Sequence, residues 1–199
     1  MREFYQTERL FLLPASPLCA KALTDYYYRN RDFLKEFEPE RDEHFFKEET
    51  QRKILTEEQK RICDKTAFRF YLSPEQPTES VPQIIIGTVA LNNIVWGCFE
   101  SCFLGYKLDK DYLRQGLMTE AVNECVRIAF EELGLHRIEA NIMPKNKASL
   151  GVVQKCGFRE EGISPKYLKI NGVWEDHIHM VKLNEASEGN DDFCREKRV

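Results

Sequence analysis

The residues from Phe103 to Gly134 restrict the fold of this chain more than any other stretch. Phe103 to Leu108 reads as a strand, and Leu113-Arg114-Gln115-Gly116 connects it to a helical pattern. Leu117, Ala121, Val122, Cys125, Ile128, Ala129 and Leu133 recur in steps of three and four, so one apolar stripe faces a core. Gly134 supplies a natural stop after the last of them. A strand that enters a helix through a glycine-containing turn leaves free backbone N–H groups at the positive end of the helix dipole. Such an end suits a phosphate or pyrophosphate, and Arg114 can pair with the same anion. Taken alone, the pattern also fits a plain strand-to-helix connection.

The flanking elements place that turn in an α/β architecture. Upstream, Glu8 to Leu13 reads as a strand. Leu18 to Arg29 reads as a helix with Ser16 as N-cap and Pro17 in the first turn, and Asn30 to Glu38 as a second short helical piece. Lys47 to Asp64 has sparse apolar positions at Ile54, Leu55 and Ile62 and reads as a charged surface helix. Ala67 to Leu72 and Gln83 to Asn93 read as strands joined by a proline-rich loop, and Ser101 to Leu108 as the next strand. Gly105 inside it suggests a bulge or a close backbone approach. Downstream, Arg137 to Ile142 reads as a strand. Asn146 is placed to cap a helix that runs to Cys156 and stops at Gly157. A strand starts at Phe158, and Asn171-Gly172 is the strongest hairpin signal in the chain. The order predicts three layers around one mixed sheet, with helices on both faces.

Composition narrows the class. The chain has 199 residues, which favours one domain over residues 1–184, followed by a charged tail, 185–199, expected to be disordered. A formal net charge of −4 argues against direct nucleic-acid binding, and no apolar run reaches membrane-spanning length. Seven scattered cysteines, none in a CxxC pair, fit a reducing cytoplasm with cysteine as a small core residue. No metal-ligand pattern is present: His177 and His179 alternate on one strand face, but no third ligand is evident.

Several motifs in series carry a resemblance. They are Arg114-Gln115-Gly116-Leu117-Met118-Thr119-Glu120-Ala121, His136-Arg137-Ile138-Glu139-Ala140-Asn141, Met143-Pro144, and Asn146-Lys147 with Ser149. After them come Gly157-Phe158 with Glu161-Gly162, then Tyr167-Leu168, then Asn171-Gly172 with Trp174, Asp176 and His177. In this order the chain resembles the GNAT superfamily of N-acetyltransferases, and most of all its branch acting on the N-terminal alanine of ribosomal proteins. The likeness is dense from Gly105 to Leu183. It implies the GNAT fold, a mostly antiparallel sheet splayed at an acetyl-CoA site, with acetyl-CoA as donor and an amine as acceptor. The loop departs from the family pattern at Leu113 and Met118, and the tyrosine many members carry after Asn146 is absent.

The resemblance also implies roles. Arg114, Gln115, Gly116, Leu117, Met118 and Thr119 would hold the pyrophosphate. Tyr106, Lys107 and Leu108 would pair with the pantetheine arm, and Asn141 would face the same gap. Asn146 and Lys147 open the next helix near the thioester. Ser149 and Asn146 are the catalytic candidates, although a first-turn residue and a cap are the alternative readings. Glu100, Glu139, Asp176 and water stand as candidate bases. Trp174 reads as packing near the hairpin. The expected partners are acetyl-CoA and a protein N-terminus, possibly ribosomal, with the enzyme a monomer or homodimer. A small-amine acetyltransferase and a non-catalytic acyl-CoA sensor are the rival readings.

Overall fold

A computed structural model describes residues 2–79 and 81–186. The expected tail therefore lies almost wholly outside the described residues. The strands are β1 (Tyr5–Gln6), β2 (Phe11–Pro14), β3 (Phe68–Ser73), β4 (Gly87–Val95), β5 (Ser101–Leu108), β6 (Arg137–Ile142), β7 (Arg159–Ile170) and β8 (Val173–Leu183). They form one sheet in the order β1-β2-β3-β4-β5-β6-β8-β7. Every neighbouring pair is antiparallel except β5 and β6. The helices are α1 (Ala20–Arg29), α2 (Arg31–Leu34), α3 (Glu48–Cys63), α4 (Leu117–Arg127) and α5 (Lys147–Lys155).

Alternation along β3 explains the layering. Phe68, Phe70 and Leu72 enter a core shared with α4 and α5, whereas Tyr71 enters a second core shared with α1 and α3. A period of two sends successive side chains to opposite faces, so one strand can hold helices on both sides.

Several boundaries differ from the sequence reading. The strand expected over Glu8 to Leu13 begins only at Phe11, and an additional strand, β1, precedes it, with Thr7 and Leu10 closing the turn between them. The fourth begins at Gly87 rather than Gln83, and the second helical piece is only Arg31–Leu34. Gly105 carries no bulge: it pairs regularly with Ala90, and the irregularity falls between Asn92 and Val95. The helix after Gly116 is regular only to Arg127, and Ile128–Glu132 forms a π-helical turn. Apolar spacing alone cannot distinguish that wider turn from an α-helical one. Trp174 is 56% exposed and so does not pack as expected.

The parallel pair β5 and β6 sets the shape of the centre. It spans only Ser101↔Arg137, Cys102↔Ile138 and Phe103↔Glu139. Beyond that point β5 continues beside β4 to Leu108, and β6 continues beside β8 to Ile142. The two halves of the sheet therefore diverge, leaving two strand edges that face each other across a gap.

Candidate active site

A cleft of about 790 Å³ opens at this divergence. Every cofactor or catalytic candidate named from the sequence lines it except Gln115. The Gln115 side chain turns back to the Asp111 carbonyl at 3.4 Å, and its own carbonyl accepts from Arg9 Nη1 at 2.8 Å.

The turn entering α4 is sharply folded. Arg114 and Gly116 both take left-handed conformations, with φ of 61° and 78°. Left-handed residues in a turn bring successive N–H groups to one concave side, which is an anion-binding arrangement. Gly116 makes no side-chain cap, so the first N–H groups of α4 keep no partner from that position. The turn is braced from the N-terminal loop. Glu120 accepts from Thr7 Oγ1, Arg9 N and Arg9 Nε, while Arg9 reaches on to Gln115. Burial raises the Glu120 carboxyl, but those hydrogen bonds and the Arg9 charge outweigh it and hold the group below its usual range.

The far wall comes from α5. Asn146 Oδ1 accepts from the Ser149 N–H at 3.1 Å, so the expected cap is formed. The Tyr106 hydroxyl donates to the Ser149 carbonyl at 2.7 Å, tying β5 to the first turn of α5. Burial pushes the Tyr106 phenol well above its ordinary range, which keeps it neutral. Ser149 lines the cleft, and its hydroxyl makes no hydrogen bond among the described residues. Lys107 is held by Glu38 at 2.6 Å and lies over the Tyr27 ring. Cys156 is core, as expected; burial pushes its thiol up to about 11 and leaves it unreactive.

One observation tests the fit of acetyl-CoA directly. Asn141 Oδ1 is buried without a partner, although Nδ2 donates to the Tyr167 hydroxyl at 3.1 Å. A buried acceptor without a donor is costly. Asn141 lines the cleft beside the unpaired edge of β6, and an amide N–H of a pantetheine arm laid there would supply the missing donor.

Sequence reasoning missed the roof of the cleft. Phe33, Leu34 and Glu36 to Glu38 close it from α2 and the segment after it, while Leu168, Ile170 and His177 close it from β7 and β8. The hairpin tip locks the two together. Asn171 Nδ2 donates to the Lys35 carbonyl and Asn171 Oδ1 accepts from the Glu40 N–H, each at 2.9 Å. The Asn171-Gly172 signal announced a turn but not this long-range clasp. None of the three carboxylates put forward as bases lines the cleft. Glu139 is instead bound by His179 and Arg137, and Asp176 accepts from the Lys166 N–H.

Known proteins agree with this geometry. Residues 9–159 match the model of the acetyltransferase (GNAT) domain. The chain is 43% identical over 159 residues to "Probable N-acetyltransferase YjcK" of Bacillus subtilis (strain 168), covering 80% of this chain and 85% of that protein. It is 37% identical over 173 residues to the [ribosomal protein uS5]-alanine N-acetyltransferase of Escherichia coli (strain K12), covering 86% of each. The crystal structure of the ribosomal-protein-S5-alanine acetyltransferase from Vibrio fischeri superposes with a TM-score of 0.84 at 35% identity, covering 92% of this chain and 97% of that one. RimJ from Mycobacterium smegmatis, solved with CoA-disulfide, shares the fold with a TM-score of 0.82 at 24% identity, over 89% and 83%. The splayed sheet, the braced turn at its mouth and the family match converge: the chain belongs to the GNAT acetyltransferase family and is an acetyl-CoA-dependent N-acetyltransferase.

Proposed function

We propose that the acceptor is the N-terminal α-amine of a protein, with a ribosomal protein as the leading candidate. The observation that carries this reading is the likeness to the uS5-alanine enzyme, which spans 86% of both chains. Amine chemistry supports it. A peptide α-amine has a reference pKa near 8, so about a quarter to a third is neutral at pH 7.5, against roughly 0.1% of a lysine. The carboxylates of the roof number two, Glu36 and Glu38, and Glu38 is already neutralised by Lys107. That leaves little acidic surface for a polyamine, the rival small-molecule substrate.

In this reading the Arg114–Thr119 turn holds the pyrophosphate, and β5 and Asn141 align the pantetheine arm. The thioester supplies the activated acetyl group, which the amine attacks directly. Ser149 donates a proton to the departing sulfur, because a thiolate with a reference pKa near 8.5 leaves more readily when protonated. The deciding experiment is incubation with acetyl-CoA and a panel of N-terminal peptides, ribosomal proteins, polyamines and amino acids, read by thiol release and mass gain. Transfer to an N-terminal alanine peptide supports the proposal. Transfer confined to small amines, or none to any amine, overturns it.

A further inference from the structure

His177 and His179 occupy the same face of β8, and their ring contacts separate them. His179 is saturated: Nδ1 meets Glu139 Oε1 at 2.8 Å and Nε2 meets Ser164 Oγ at 2.7 Å. Glu139 is buried enough to raise its pKa, but hydrogen bonds from His179, Arg137 and Asn141 and the His179 charge hold it below the usual range. That carboxylate stays ionised and committed to its neighbours.

His177 is different. It is 4% exposed, lines the cleft, and places Nδ1 3.0 Å from the Glu175 carbonyl of its own strand. A carbonyl oxygen only accepts, so Nδ1 carries the hydrogen. The neutral ring then presents Nε2 as a lone pair, and Nε2 has no hydrogen bond among the described residues. Tyr167 of β7 backs the ring at 5.4 Å between centroids, and its hydroxyl is held by Asn141 of β6. Ser164 of β7 is the register partner of His177. The charged groups of the same cleft are Glu36, Glu38, Lys107, Arg114, Lys147 and Lys155. Glu38 is bound to Lys107, and Glu175, two residues before His177 on β8, is bound to Lys145.

We propose that His177 Nε2 is the proton acceptor for the incoming amine. An N–H bond of the ammonium breaks, its proton forms a bond to Nε2, and the electron pair stays on the amine nitrogen to attack the thioester carbonyl. The Glu175 carbonyl, accepting from Nδ1, fixes the tautomer and the orientation of the ring, as an oriented partner does for a general base. The cleft mouth returns the proton to water. The proposal rests on the acetyltransferase reading above.

The test uses His177→Gln and His177→Ala with the best acceptor of the wild-type enzyme. Absence of any wild-type transfer would defeat the functional reading rather than this one. The expected result is a fall in kcat of about 100-fold, a move of the acid limb of the kcat/KM profile to the acceptor amine's own pKa, unchanged acetyl-CoA affinity by calorimetry, and partial rescue of the alanine variant by added imidazole. An acid limb at the wild-type position, or a rate within threefold of wild type, overturns the assignment. If neither variant binds acetyl-CoA, nitrogen NMR of the wild-type histidines decides. A His177 ring protonated at Nδ1, with Nε2 gaining its proton over the interval of the acid limb, supports the proposal, and a ring protonated at Nε2 when neutral overturns it.

Discussion

Arg29 Nε lies 2.6 Å from Asp109 Oδ2, and the Asp109 side chain is fully buried. The pair joins the last turn of α1 to the residue that follows β5, 80 positions away. Asp109 Oδ1 also accepts from the Asp111 N–H, and Asn30 Oδ1 accepts from the Lys110 N–H. The loop that leads to the Arg114–Gly116 turn is thus fixed from the opposite layer of the molecule. Arg29→Ala strands a buried carboxylate, for which losses of about 3–5 kcal/mol are usual. The guanidinium keeps 31% exposure, so the expected loss is at the lower end, about 3 kcal/mol. Urea denaturation checks it, and Arg29→Lys should recover part of the loss.

Gly116→Ala should weaken acetyl-CoA binding about tenfold, roughly 1.4 kcal/mol. Space is not the obstacle: an added Cβ meets only Arg9 Nη2, at 3.5 Å. The left-handed φ of 78° is, since a side chain there costs about 1–2 kcal/mol. Relaxing the turn moves the N–H donors off the anion. Gly172→Ala is the control, with φ of 85° and nothing near its Cβ. It should cost similar stability and leave acetyl-CoA affinity, measured by calorimetry, unchanged.

Ser149→Ala should lower kcat about 100-fold, the low end for general acid help, because water can take over part of the role. Acetyl-CoA affinity should stay near wild type. The cap on α5 uses the Ser149 backbone N–H, which alanine keeps, so the melting temperature should hold as well. Single-turnover rates and a thermal melt on one variant separate chemistry from structure. A normal rate would move the proton donor to water.

Much of this was legible because it was local. Asn146 capping Ser149, Gly134 and Gly157 at positive φ, and the Asn171-Gly172 turn each depend on two or three adjacent residues. The folded turn at Arg114 to Gly116 was legible for the same reason. The parts that escaped are long-range. Nothing near Phe33 or Glu38 signals that α2 roofs a cleft built from β5 and α5. Gln115 looked like its neighbours until Arg9 drew its carbonyl aside. His177 and His179 were indistinguishable as an alternating pair, because their roles are set by Glu139, Ser164 and a backbone carbonyl.

The Arg9–Glu120 brace predicts a pH signature. Glu120 has a depressed folded pKa, so its contribution is complete above the unfolded carboxyl value, about 4.3, and is lost as pH falls through the folded value. Glu120→Gln removes that dependence. At pH 7 the variant should be less stable by about 1 kcal/mol, since Arg9 is largely solvated. The gap between wild type and variant should close below pH 4. Melting temperatures across pH 3–8 would show parallel curves if the brace contributes nothing.

The short β5–β6 pairing has a mechanical meaning. Five strands form one plate, three form another, and a seam of three residue pairs joins them. The middle pair, Cys102 and Ile138, is buried in the α4 side of the core. Like the crotch of a branch, that seam sets the opening angle for everything beyond it, so a small wedge at its base becomes a larger displacement at the mouth. The spacing between Tyr106 and Asn141, on the two sides of the gap, is therefore controlled from residues that line neither side of it.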